Sequence, residues 1–255
     1  MVMKHSKQWP RQISMEAFRR AWPLEGEALW VTVFETHREK MQIKNVNIAV
    51  ANLEKIFTAT FKLANSKGFQ AMSLRDLSRE TGISMGGIYA YIGSKEELAS
   101  VIESVLRLHI ERVIGGLASE ELDAVQRLKA IIYGDLYLSE ILNPWYYFCF
   151  MEVKGLPREQ QETAMQLELQ FDQMLMDTFR LGLSTGVFRG DRFELLASNT
   201  THMLQQWYLK RWKFRRMKVS LEDYAGFVLA NVLLSLGCDA DHALPAAAWN
   251  RLSLG

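Results

Sequence analysis

The chain has 255 residues, with 30 Lys and Arg against 29 Asp and Glu and 49% hydrophobic residues, enough to bury a core in one large domain or two modest ones. A formal charge of +1 excludes a polycationic nucleic-acid coat but leaves room for a local docking face. Two distant cysteines in apolar surroundings, Cys149 and Cys238, exclude a disulfide framework or zinc site and point to a reducing cytoplasm; no run approaches the roughly 18 apolar residues of a membrane span.

The prolines stand at 10, 23, 144, 157 and 245, so long intervals lack the strongest helix breaker. Strict alternation is nearly absent, and an all-α fold is expected. Residues 1–45 read as an N-terminal extension, an arm or a short helix: Ser14 is placed to cap MEAFRRAW, which Pro23 ends, and LWVTVFE at 29–35 reads equally as strand or helix. From 47 to 67, Val50, Leu53, Ile56, Phe57, Phe61 and Ala64 recur at helical spacing, and Gly68 stands where a left-handed C-cap belongs. Ser73 with Asp76 forms a capping box opening LRDLSRET, which Gly82 ends; Ser94 with Glu97 opens another.

Between those caps lies SMGGIYAYIG, 84–93. A short helix, a glycine-containing turn and a second short helix over 72–92 describe a helix-turn-helix. Ile88 and Ile92 can face the core, leaving Met85, Gly86, Tyr89 and Ala90 on other faces, with little charge or bulk. Glycine inside a helix costs roughly 1 kcal/mol against alanine, so Gly86 and Gly87 suit close approach to another surface. Tyr89 and Tyr91 carry hydroxyls suited to phosphate oxygens, and Lys95, in the first turn of the next helix, is poorly placed against the dipole unless an anion lies beyond.

The stretch GFQAMSLRDLSRETGISMGGIYAYIGSKEEL resembles the DNA-binding domain of TetR-type (TetR/AcrR) transcriptional regulators, over about 47–108. The resemblance implies that Ser73 and Arg75 contact backbone or groove, that Ser84, Met85, Gly86 and Gly87 meet bases, and that Tyr89, Tyr91 and Lys95 clamp phosphates. Met and Gly at base-facing positions depart from hydrogen-bonding side chains, so direct readout is expected to be thin, leaving Arg75, Ser84 and DNA shape.

The domains expected are 46–108 for DNA binding, 109–240 for effector binding and dimerisation, and a tail at 241–255. Amphipathic segments run over roughly 120–140, 144–153, 158–185, 191–213 and 220–237. The resemblance implies a homodimer through 193–213 and 220–237, a palindromic double-stranded operator, and a small effector releasing a repressor from it. Trp145, Tyr146, Phe148, Phe150, Phe171, Met174, Phe179, Met203 and Trp207 are the aromatic and Met residues expected to line a hydrophobic effector pocket, with ordinary core as the alternative. WYLKRWKFRRMK at 207–218 reads first as a solvated helix end and loop; the alternative is an anion site at Lys210, Arg211, Arg215 and Arg216, a pattern similar to regulators that sense acyl-coenzyme A thioesters. His202 reads as a core or interface residue. No paired carboxylates, activated nucleophile, metal spacing or phosphate-cradling loop points to an enzyme, cofactor or metal. The expected setting is the bacterial cytoplasm, associated with the nucleoid, and the competing function is a DNA-bound adaptor recruiting a protein without an effector.

Overall fold

A computed structural model of the chain describes residues 9–238, and the expected 241–255 tail lies outside the described residues. Among them the fold is all-α, without a strand. The helices are α1 (Met15–Ala21), α2 (Gly26–His37), α3 (Val46–Lys67), α4 (Leu74–Thr81), α5 (Met85–Tyr89), α6 (Lys95–Val113), α7 (Ala124–Ile141), α8 (Asn143–Glu152), α9 (Arg158–Ser184), α10 (Phe193–Leu209), α11 (Arg211–Met217) and α12 (Leu221–Ser235).

The ambiguous segment LWVTVFE is helical, inside α2. Leu29, Trp30, Val33 and Phe34 recur there at helical spacing and are all buried. From residue 9 onward the extension is therefore packed. Ser14 accepts from the Ala17 N–H at 3.2 Å at the start of α1, as the sequence anticipates. The expected 191–213 helix breaks at Lys210 into α10 and α11.

The contacts divide the chain into two compact units. One comprises residues 22–109 and 141–166. Its centre is aromatic: Trp145 stacks on Phe57 with centroids 5.3 Å apart, Trp30 lies 5.9 Å from Phe57, and Phe148 meets Phe69 edge-on at 4.9 Å. Burial of rings this large, in edge and offset geometries, is the main cohesive term of such a cluster. Thus α2 and α8, far apart in sequence, complete the shell around α3–α6, whereas the sequence suggests one cut near 108.

The other unit comprises residues 9–21, 110–140 and 167–238 of the described chain. Here Trp9 and Phe18 pack on fully buried Tyr137. Helices α10 and α12 pair, and Tyr224 of α12 donates its hydroxyl proton to the Met203 carbonyl of α10. At the end of α9 a Cβ on Gly182 would lie 1.9 Å from the Phe188 ring, so only glycine lets the following turn fold back there.

Candidate nucleic-acid interface

Ser73 sets the start of α4. Its hydroxyl accepts from the Asp76 N–H at 3.2 Å while Asp76 accepts from the Ser73 N–H at 2.8 Å, the reciprocal capping box. Asp76 also takes the Lys67 ammonium at 2.6 Å, which, ahead of the Ser73 bonds, holds its carboxyl well below the ordinary carboxylate range. Ser73 is thereby committed to the cap. Arg75, one residue into α4, is exposed and makes no ion pair among the described residues.

Gly82 ends α4 with φ +72°, a conformation that disfavours any side chain. Two side chains then fasten the turn: Ser78 donates to the Ile83 carbonyl at 2.7 Å, and Thr81 accepts from the Ile83 N–H at 3.2 Å. Neither bond follows from the spacing of the motif, although hydroxyls near a helix C-terminus commonly bond local backbone. Ser84 caps α5, accepting from the Gly87 N–H at 3.2 Å.

On α5, Ile88 is fully buried while Tyr89 is 50% exposed and Gly86 exposed. The helix ends at Tyr89, earlier than the sequence suggests, and Tyr91 and Ile92 turn inward. The two glycines differ. A Cβ on Gly86 would meet nothing within 4 Å, but one on Gly87 would lie 2.7 Å from the Ile83 Cγ2 methyl. Gly87 is therefore required by the turn itself, and closeness to DNA is not needed to explain it.

Two of the expected phosphate clamps make internal bonds. The Tyr91 ring is buried and its hydroxyl accepts from the Asn52 amide at 3.0 Å, an internal strut between α3 and the end of α5. Lys95 donates to the Gln70 carbonyl at 2.7 Å and sits 5.2 Å over the Phe69 ring, anchoring the GFQ loop. Gln70 in turn donates to the Gly155 carbonyl. The extension also reaches this site: the Gln42 N–H donates to the Ala90 carbonyl at 2.9 Å, bracing the end of α5. The outward face that remains is Arg75, Ser84, Met85, Gly86 and Tyr89.

The residues expected to line an effector pocket are shared between the two units. Trp145 and Phe148 are consumed by the cluster around Phe57, Phe61 and Phe69, Tyr146 is buried in the same unit, and Phe150 is 43% exposed. Phe171 and Met174 belong to α9 of the other unit, whose Phe179 meets Phe193 at 5.7 Å. Trp207 stacks on Tyr224 at 5.6 Å, and Met203 contributes its carbonyl to that tyrosine. Side-chain type alone carried that grouping, and rings of one type are distributed here among separate packing clusters. Within the second unit a cleft of about 360 Å³ is lined by Arg189, Arg192, Phe193, Leu195 and Asn199 among others.

The proposed anion cluster is divided too. Arg211 is tied to Glu140, whereas Lys210, Arg215 and Arg216 are exposed. The two tryptophans of that segment do not share a face: Trp207 is buried and Trp212 is 64% exposed. His202 is exposed, with its ring Nδ1 2.7 Å from the Ser198 carbonyl.

A capped helix, a glycine turn pinned by hydroxyls and a second helix with a bare outer face define a helix-turn-helix DNA-binding regulator. Residues 56–102 match the sequence profile of the bacterial regulatory proteins, tetR family. The HTH-type transcriptional regulator HbdR of Aromatoleum sp. (strain CIB) is 23% identical over 163 residues, 62% of this chain and 69% of that one. The HTH-type transcriptional repressor KstR2 of Rhodococcus jostii is 25% identical over 150 residues, 56% of this chain and 72% of that one. The fold is also that of AibR, solved with isovaleryl coenzyme A and operator DNA, at TM-score 0.59 and 18% identity, covering 69% of this chain and 95% of that one. Residues 56–102 thus carry the DNA-binding domain typical of the tetR family, and the chain as a whole is similar to regulators of that family. Its relatives are transcriptional regulators and not enzymes.

Proposed function

We propose that the protein is a dimeric repressor that leaves a palindromic operator when a small hydrophobic effector binds. The observation that carries the reading is the outer face of the helix-turn-helix, where exposed Arg75 and the bare start of α5 leave backbone and guanidinium free to approach the major groove. In this reading Arg75, Ser84, Met85 and Gly86 meet bases or groove and Tyr89 holds a phosphate, while Ser73, Gly87, Tyr91 and Lys95 position them. The DNA-binding domain spans 46–108, braced by α2 and α8, and the protein works in the bacterial cytoplasm at the nucleoid.

Dimerisation through α10 and α12 is supported by apolar side chains they leave uncovered. Phe227 and Leu234, seven apart on α12, are 47% and 53% exposed, and Leu195 of α10 is 60% exposed. A seven-residue interval keeps side chains on one stripe, the pattern of a helix seam. A two-fold pair of helix-turn-helix units then matches a palindrome one turn of DNA apart.

An acyl-coenzyme A thioester is the effector class favoured, supported by the ligand named for AibR. A gel shift with the intergenic DNA beside the gene tests the reading: salt-sensitive, sequence-preferring binding is expected, followed by release with short-chain acyl-coenzyme A compounds. No binding at any salt overturns the regulator; binding that no such compound releases favours an adaptor without effector. The scattering of the aromatic residues into separate clusters is the observation behind that second reading.

A further inference from the structure

Helix α11, RWKFRRM, is the short piece inserted between the paired helices α10 and α12. Its one buried residue, Phe214, packs on Trp207 and Tyr224 with centroids at 5.2 and 4.5 Å. At its start Arg211 is held by Glu140, which also accepts the Trp207 indole N–H at 2.9 Å. These contacts fix the roll of the helix. At about 100° per residue, Trp212, Arg215 and Arg216, spaced i, i+3 and i+4, share a face roughly opposite Phe214. Trp212 is 64% exposed, and Lys213, Arg215, Arg216, Met217 and Lys218 are exposed as well. None of these cations belongs to an ion pair among the described residues.

Two cations in the last turn are ordinary complements to a helix dipole. An outward tryptophan between lysines and arginines is not, because it exposes a large apolar ring that nothing in its own unit covers. From this juxtaposition we propose that the Trp212, Arg215 and Arg216 face of α11 is a second, sequence-independent contact to operator DNA, the arginines on phosphate oxygens and the indole edge against sugar.

The proposal rests on the DNA-binding reading above, since the partner is the polyanion that a regulator already holds. A membrane surface fits worse: Trp212 and Met217 lie about 140° apart with Phe214 turned inward, so α11 lacks the apolar stripe that an interfacial helix needs. A second copy fits worse also, because a two-fold contact centred on this face sets cations against the same cations.

The test measures operator affinity of the full chain against KCl concentration for the wild type, Arg215→Gln/Arg216→Gln, and Arg215→Lys/Arg216→Lys. Each lost phosphate contact lowers the slope of log affinity on log salt by about 0.9, so the Gln pair is expected to lower it by about 1.8 per protomer. A rise from 50 to 200 mM salt then weakens that variant about tenfold less for each protomer engaged. The preference for operator over scrambled DNA stays unchanged, and the Lys pair keeps the wild-type slope. Trp212→Ala weakens binding to both DNAs equally. A wild type that binds operator with a slope the Gln pair does not change overturns the proposal. So does an unchanged slope accompanied by lost binding to phosphatidylglycerol vesicles or by altered self-association, which reassigns the face to a membrane or a second copy. A wild type with no DNA binding refutes instead the regulator reading on which the proposal rests.

Discussion

At the scale of single residues, the two glycines of α5 and the two tyrosines around its end separate structural work from recognition. Gly87→Ala drives a Cβ toward the β-branched Ile83, whose methyl has little freedom to retreat. It is expected to lower the thermal midpoint, whereas Gly86→Ala, with open space at its Cβ, leaves the midpoint unchanged or gains up to about 1 kcal/mol. Operator affinity reads the opposite order: Gly86→Ala, stable as a fold, is expected to bind more weakly. The tyrosines divide likewise. Tyr91→Phe strips the acceptor of the Asn52 amide and is expected to cost about 0.5–1.5 kcal/mol in urea unfolding. Tyr89→Phe, at an exposed ring, leaves unfolding unchanged and weakens binding to all DNA sequences alike. If Tyr91→Phe instead weakens DNA binding at unchanged stability, the strut assignment is wrong.

At the scale of elements, α4 is held at its start by a charge. Asp76 has its folded-state titration depressed below the ordinary 3.8, first by Lys67 and then by Ser73. A depressed carboxylate stabilises the fold fully above its unfolded titration point, and that contribution disappears as pH falls toward the folded one. Thermal midpoints of the wild type and Asp76→Asn are therefore expected to differ at pH 7 and to draw together progressively as pH falls below about 3.8; a gap that does not narrow with falling pH rules out the linkage. The extension is an element too. Phe18 is fully buried against Trp9 and Tyr137, so Phe18→Ala is expected to cost about 3–5 kcal/mol in chemical unfolding. A cost near zero returns residues 9–21 to the status of an arm.

At the scale of the whole molecule, oligomeric state decides whether one helix-turn-helix can serve as a repressor. Replacing Phe227 and Leu234 by Glu puts charge into the uncovered stripe of α12 without touching its buried side. Sedimentation is expected to show a monomer with native helix content, and operator affinity to fall at least a hundredfold, since a half-site alone is then held. A dimer that survives both charges moves the interface elsewhere.

Local patterns in the sequence were sufficient for the helical class, for α3 and α4, and for the caps at Ser14, Ser73 and Gly82. Helix periodicity, capping and glycine conformation depend on residues within a few positions of one another, so a linear reading contains the interactions that decide them. Tertiary structure decided what each exposed-looking or ring-bearing side chain is used for. Whether Tyr91 meets a phosphate or Asn52, whether Lys95 is free or fastened to Gln70, and whether Trp145 lines a pocket or stacks on Phe57 depends on partners 39, 25 and 88 positions away. The helicity of LWVTVFE belongs with these, because its alternation is compatible with either period until α3 supplies the surface that buries Trp30. A residue's chemistry can be read in one dimension; its availability is set by packing, which the linear order does not contain.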